Sequence, residues 1–171
     1  MLVQALAVVL FVALLLALFR FAMGLRYAKG ERERARAAEE ARGRRVVAEI
    51  PLSEADLVLF VDDGERFRWA SDSLAKEEIV GARALVNGAV VREFAAGPGL
   101  LPPAAAPEEF EGRERWEVMV FLRGGDAARI PCGSLREGVS REIAGRVFEA
   151  LRAAAPTKEE QVDLQAGSKE E

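Results

Sequence analysis

The segment LFVDDGERFRWA, residues 59–70, contains two adjacent carboxylates, Asp62 and Asp63, between aromatic and basic residues. Two carboxylates close together can serve as a general acid and a general base. The same residues also encode a turn. Asp63-Gly64 is a strong signal for a two-residue hairpin, because a type I′ turn needs positive φ at both positions. The alternation of polar and apolar residues on either side favours the hairpin, so we predict that the two aspartates form a solvent-exposed corner.

Other reactive side chains are few. The chain has no histidine, which removes the commonest general base and metal ligand. Its single cysteine, Cys132, has no histidine to activate it and is predicted to be a buried core thiol. Neither a zinc-binding cluster nor a glycine-rich phosphate loop is present in the sequence. We therefore predict a non-enzymatic protein without a cofactor. An enzyme that uses carboxylates remains an alternative, because such residues need no fixed spacing.

The middle of the chain is predicted to be mainly β. VVAEIPL indicates a first strand that ends at Pro51, and three hairpins follow. Their turns are predicted at Asp63-Gly64, at Asn87-Gly88 and over residues 123–126, with a long proline-rich loop between the second and third hairpins. These elements give seven strands.

The hydrophobic period then changes to that of a helix. Val139, Ile143, Val147 and Leu151 recur every four residues, with Phe148 beside them, which predicts an amphipathic helix. Two starting points are open. Either Ser134 and Glu137 form a capping box, or Ser140 caps a shorter helix. Residues 46–155 are thus predicted to be an α+β, mainly β domain with one C-terminal helix.

This order of elements resembles the pleckstrin-homology-like (PH-like) fold of membrane-anchored bacterial proteins. The resemblance rests on the three hairpins and on the helix near Val139–Leu151, and it covers residues 46–155. It implies a seven-stranded bent barrel or sandwich that is plugged at one end by its last helix. Phosphoinositide-binding members gather basic residues around the first loop, whereas here that loop reads LSEADL and is acidic. The resemblance therefore implies a protein-binding or structural role.

The N-terminal residues predict a membrane anchor. Residues 2–19 carry no charge and a single polar residue, Gln4, and thirteen of these eighteen residues are Leu, Val or Phe. With the residues up to 25, the apolar segment reaches the roughly 20 residues that a helix needs to cross a bilayer. A cleaved secretory signal is the alternative, but no basic residue precedes the apolar run. Residues 1–25 are therefore predicted to be a single transmembrane helix that contacts the lipid bilayer.

The charge after the anchor predicts its orientation. Six basic residues follow the apolar run, and positive charges beside a membrane helix stay in the cytoplasm. We assign a membrane-flanking role to four of them: Arg20, Arg26, Lys29 and Arg32. The N-terminus is then predicted to lie outside, and the domain in the cytoplasm at the inner membrane. A single cysteine agrees with a reducing compartment.

Two charged segments flank the predicted domain. Residues 26–45 are rich in Ala, Glu and Arg and are predicted to form a helical stalk or linker. Residues 156–171 are acidic, lack aromatic residues and are predicted to be a disordered tail. These assignments divide the chain into an anchor, a stalk, a domain and a tail.

The function predicted from these features is an interaction domain, an adaptor or scaffold tethered to the membrane. Its partner is predicted to be a protein, and Arg66 and Arg68 on the first hairpin are the candidate contact residues. Nucleic acid is not expected, because residues 46–155 have a net charge of −6 and phosphate binding needs a basic face. The alternative is a sensor of lipid or of a small ligand at the membrane surface.

Overall fold

The computed structural model describes residues 2–51, 57–104, 112, 114–133 and 137–155. In the first helix it describes the side chains of residues 11, 13–20, 23 and 30–41, and the side chain of Glu137 is not described. The chain divides into two compact units, residues 1–42 and residues 43–171. The predicted tail after residue 155 and the acidic loop at residues 52–56 lie outside the described residues.

The first unit is a single helix, α1 (Leu2–Ala41). Its charged half carries ion pairs one turn apart, among them Arg36 Nε with Glu40 Oε1 at 2.8 Å, as the spacing in the sequence indicates. In the part of the chain that the structure describes, no helix is long and apolar enough to cross a membrane. The anchor predicted for residues 1–25 therefore gains no support from the structure and stays a prediction of the sequence.

The first sheet of the second unit is an antiparallel meander with the order β1-β2-β3-β4. Its strands are β1 (Arg45–Pro51), β2 (Leu57–Asp62), β3 (Arg66–Trp69) and β4 (Asp72–Ala75). A 3₁₀ turn over Lys76–Glu78 then leads into the second sheet. The predicted end of the first strand at Pro51 is confirmed.

The first hairpin turns one residue later than its sequence predicts. Asp62 pairs with Phe67, and the Asp63 amide donates to the Arg66 carbonyl at 3.0 Å, so Gly64 and Glu65 form the turn. The prediction of the turn at Asp63-Gly64 is therefore wrong by one residue. The shift puts Asp62 on the same face of the sheet as the buried ring of Phe67.

The second sheet has the order β6-β5-β7-β8, so β5 pairs with both β6 and β7. Its strands are β5 (Ile79–Val86), β6 (Ala89–Ala95), β7 (Trp116–Leu122) and β8 (Ala127–Gly133). The turn predicted at Asn87-Gly88 is confirmed, with φ of 49° and 78° at the two positions. The third predicted hairpin is confirmed as well, because Phe121 pairs with Ala127 across a turn at residues 123–126.

Helix α2 (Glu137–Ala154) follows β8 and packs against β1, β5, β7 and β8. Its buried side chains join the inner faces of both sheets in one core, which includes Phe60, Phe67, Ile130 and Phe148. The unit is therefore α+β and mainly β, with a C-terminal amphipathic helix, as predicted.

Three details of the prediction are wrong. The structure describes eight strands instead of seven, because β4 was not recognised. Val139 is 47% exposed and is not a core residue, whereas Ser140 is 1% exposed and takes the inward position. Ser140 is the fourth residue of α2, so it does not cap the helix, and the other proposed cap, Ser134, lies outside the described residues.

Candidate functional site

Asp62 is a buried, fully engaged carboxylate, and its prediction as a solvent-exposed residue is wrong. It is 9% exposed and accepts hydrogen bonds from Lys76 Nζ at 2.5 Å, the Gly64 amide at 2.9 Å and Arg45 Nη2 at 3.0 Å. Burial acts to raise the pKa of this carboxyl, but the hydrogen bonds from Lys76, Gly64 and Arg45 outweigh it and leave the pKa lowered. An ionised carboxylate with three donors ties β1, β2 and the 3₁₀ turn together.

Asp63 faces the opposite side of the same hairpin. Its carboxylate accepts from Arg68 Nε at 2.6 Å and from the Arg66 amide at 2.7 Å. The hydrogen bond from Arg68 is the main reason that the pKa of Asp63 is lowered. The two neighbouring aspartates therefore point to different faces and hold separate partners, so they do not form an acid–base pair.

The residues predicted to contact a partner, Arg66 and Arg68, lie on the outer face of the first sheet. Both are exposed, and they stand opposite Ala75 and Ser73 of β4. Arg68 is bound to Asp63, whereas Arg66 extends into solvent. The structure thus places them together, and their role as a contact surface stays a prediction.

The four membrane-flanking residues all fall within α1. Arg20 and Arg32 are exposed on this helix. The side chains of Arg26 and Lys29 lie outside the described residues.

A groove beside α2 lies in the described part of the second unit and has a volume of about 1,210 Å³. It lies between one face of α2, the start of β1 and the end of the second sheet where β5, β6 and β7 meet. We call it the α2 groove. Its lining residues are Arg45, Val46, Val47, Ala84, Val86, Val91, Arg92, Glu114, Trp116, Gly138, Arg141, Glu142, Ala144, Gly145, Arg146, Glu149, Ala150 and Ala153.

The sheet side of the α2 groove is apolar. Trp116 is half-buried, and its indole Nε1 donates to Glu114 Oε2 at 3.2 Å, which fixes the ring at the start of β7. Val91 on β6 is 46% exposed. An indole and an aliphatic side chain at a concave surface provide a contact area of the kind that anchors a bound segment.

On the helix side of the α2 groove, two positions are glycines with free space around them. At Gly138 and at Gly145 an added Cβ atom would meet nothing within 4 Å. Glycine inside a helix costs about 1 kcal/mol relative to alanine, and here no contact within the described residues demands it. The absence of side chains at these positions leaves the helix backbone accessible from the groove.

The rim of the α2 groove is charged. Arg92 pairs with Glu149, and its guanidinium lies 4.7 Å from the centre of the buried Phe148 ring. Arg146 pairs with Glu142 at 2.5 Å. Arg141 is exposed and forms no ion pair with any residue that the structure describes. Arg141 is thus the cation of this rim that is available to a bound carboxylate.

Cys132 lies in the core, away from this rim. It is completely buried, its Sγ lies 3.6 Å from the Ile130 carbonyl oxygen, and burial raises the pKa of its thiol to about 12. The prediction of a buried core thiol is confirmed. Over the described residues, no group of acidic, cysteine or histidine side chains is arranged to hold a metal ion.

The chain matches no family model, no curated protein and no solved structure. The PH-like resemblance therefore stays a prediction.

Sequence reasoning missed the α2 groove. One signal was present, because Trp116 is the first residue of the strand WEVMVFL. The exposure of Val91 and the open helix face depend on how α2 lies across the two sheets. That placement is a property of packing and not of any local pattern.

Proposed function

We propose that the unit from Gly43 onward is a non-enzymatic interaction domain, an adaptor, which binds a protein segment in the α2 groove. The observation that carries the proposal is the pairing of an apolar wall, formed by Trp116 and Val91, with the available cation of Arg141 on the opposite rim. The segment that suits these two features presents aliphatic side chains to the wall and a carboxylate to the arginine.

The ion pairs of the rim support binding over catalysis. Arg92 and Glu149, and Arg146 and Glu142, satisfy one another on the surface. Asp62 is likewise saturated by its three donors. Side chains that already have partners position a ligand well, but an acid or a base must be free to exchange a proton with a substrate.

We further propose that the domain is displayed on the cytoplasmic face of the inner membrane by its N-terminal helix, with the N-terminus outside. This part of the proposal rests on the sequence, on the uncharged residues 2–19 and on the basic residues that follow them. Tethering would raise the local concentration of the domain near membrane partners without a new contact. The fold of this domain is proposed to be PH-like in the general sense of a β-sandwich closed by its last helix.

The test is crosslinking in intact cells followed by purification of the full-length chain. Three chains are compared: wild type, a groove variant with Val91→Glu and Arg141→Glu, and a matched surface variant, Arg66→Glu. We expect a discrete cytoplasmic or membrane protein to be attached to wild type and to Arg66→Glu, and to be lost from the groove variant. Attachment that is unchanged in the groove variant and lost in Arg66→Glu would transfer the function to the first hairpin.

The same experiment tests the orientation. Partners found only outside the cytoplasm would contradict the proposed topology and the role given to Arg20, Arg26, Lys29 and Arg32. The folding of the groove variant is verified first by its near-UV circular dichroism, since Val91 and Arg141 are both exposed and should tolerate the change.

A further inference from the structure

We infer that residues 157–171 of the chain itself bind in the α2 groove and compete there with the external partner. This inference rests on the proposed function of the groove and adds its regulation. Three observations lead to it: where the chain leaves α2, the charge that follows, and the pattern of apolar residues in that segment.

The last turn of α2 lies at one end of the groove. Ala153, one residue before the last residue of the helix, lines the groove at one end, and Arg141 lines it three turns earlier. At about 1.5 Å per residue, these two positions are about 18 Å apart along the helix axis. An extended chain covers about 3.3 Å per residue, so the eight residue-to-residue steps from Ala155 to Asp163 span about 26 Å, enough to turn back and reach Arg141.

The charges of the two parts are complementary. The segment from residue 156 to residue 171 has a net charge of −3, while the groove lining contains four arginines and three glutamates. Arg141 has no ion pair within the described residues, and the rim pairs of Arg92 and Arg146 are exposed. Exposed pairs are worth little individually and exchange partners easily, so an added carboxylate can bind without breaking a buried interaction.

The segment also contains aliphatic side chains and a carboxylate, the two kinds of group that suit the groove. In QVDLQ, Val162 and Leu164 alternate with Asp163. In an extended chain, successive side chains point to opposite sides, so the two aliphatic residues face one way and the carboxylate the other. This alternation lets Val162 and Leu164 contact the wall of Trp116 while Asp163 is directed to the arginine rim.

Covalent linkage makes such an internal ligand effective even where its intrinsic affinity is low. A short flexible connection gives an effective concentration in the millimolar range. An external partner must displace the segment, so its apparent affinity falls in proportion to the occupied fraction. Removal of residues 157–171 is therefore expected to increase capture of the partner.

The test uses the two tryptophans of the full chain as separate reporters. Trp116 lines the groove, whereas Trp69 is 6% exposed in the core beside Phe60. A nitroxide is attached to a cysteine introduced by Ala166→Cys or, in a second chain, by Ser168→Cys. The buried Cys132 does not compete for the label. The full chain is studied in detergent micelles, and the two indole N–H signals are assigned with Trp116→Phe.

We expect the oxidised nitroxide to reduce the Trp116 indole signal at least about twofold more than the Trp69 signal, because the tether holds the segment in the groove. Adding Arg141→Glu to the labelled chain should abolish the difference, and the exposed Glu77→Arg, outside the groove, should preserve it. Equal intensities of both signals in both labelled chains would overturn the inference.

The internal ligand and the adaptor function can fail independently of each other, and the experiments distinguish the two. Partner attachment that requires Val91 and Arg141, together with equal indole signals, would overturn the internal ligand and leave the adaptor standing. Selective loss of the Trp116 signal supports the internal ligand even where no partner is captured. Equal capture of partner by wild type and by a chain that ends at Pro156 would contradict the competition.

Discussion

Replacing Asp62 by asparagine should destabilise the second unit by about 2–4 kcal/mol. Hydrogen bonds to charged groups contribute about 1.5–3 kcal/mol each, and Asp62 accepts them from Lys76 and Arg45 as well as from the Gly64 amide. The Arg45 side chain is 71% exposed, so its share is reduced by solvent. The Lys76 side chain is only 21% exposed and also lies 5.1 Å from the centre of the Phe67 ring, so its ammonium would lose its counter-charge in a partly buried position.

The effect should depend on pH in a defined direction. The folded pKa of Asp62 is lowered below the unfolded value of about 3.9. The ionised carboxylate therefore contributes its full stabilisation above pH ~4, and this contribution is lost as the pH falls through the folded pKa. The difference between wild type and Asp62→Asn should be constant between about pH 5 and pH 8 and should shrink below pH ~4.

Urea denaturation of the full chain, followed by tryptophan fluorescence, measures this difference. Trp69 reports on the core, since it is 6% exposed and its ring centre is 5.7 Å from that of Phe60. Asp72→Asn is the matched control, because Asp72 is exposed on β4 and should change stability by less than about 0.5 kcal/mol. A loss of stability for Asp62→Asn no larger than that of the control would contradict a stabilising role of the buried carboxylate.

Four further predictions use other parts of the molecule. Gly81→Ala should destabilise the domain by about 1–3 kcal/mol in urea denaturation, because its Cβ would lie 2.6 Å from a Leu101 methyl group and from a backbone oxygen. Gly145→Ala should instead stabilise by up to about 1 kcal/mol, since nothing lies within 4 Å of the added atom; a loss would contradict the open helix face. Cys132 should resist thiol reagents at pH 8 until the chain unfolds, and rapid labelling of the native chain would contradict its burial. Deleting residues 1–25 should release a folded chain into the soluble fraction; an aggregated or unfolded product would contradict an independent domain.

Much of the fold follows from local signals. Asn87-Gly88 and the stretch at residues 123–126 encode their turns through residues that favour positive φ or a tight reversal, and the structure forms both. The period of α2 also predicts its buried side chains at Ile143, Val147 and Leu151. In each case the residues that determine the geometry are neighbours in sequence.

The errors arise where packing decides between similar local choices. The first hairpin places Gly64 at φ 99° in the first turn position, which moves the turn by one residue and buries Asp62. The turn between β3 and β4 uses Ala70 at φ 48°, a residue that gives no turn signal, so β4 was missed. At the start of α2, Ser140 takes the inward position beside Gly133, and Val139 is left exposed.

The candidate site was the least predictable part. The residues proposed from sequence, Arg66 and Arg68, lie on the first sheet, whereas the α2 groove is built from β1, the end of the second sheet and α2. These elements come from distant parts of the chain, and their meeting depends on the way in which α2 crosses both sheets. Only that arrangement brings Val91 to the same groove as Arg141, which forms no ion pair with any residue that the structure describes.

Site-specific photo-crosslinking in living cells tests the groove most directly. A photoreactive amino acid is placed in the full chain at Val91, in the groove, or at Arg66, on the first sheet, with exposed Glu77 as a third, reference position. We expect a discrete adduct with another protein from position 91, absent from positions 66 and 77 and lost on adding Arg141→Glu. A discrete adduct from position 66 with none from position 91 would contradict partner binding in the α2 groove.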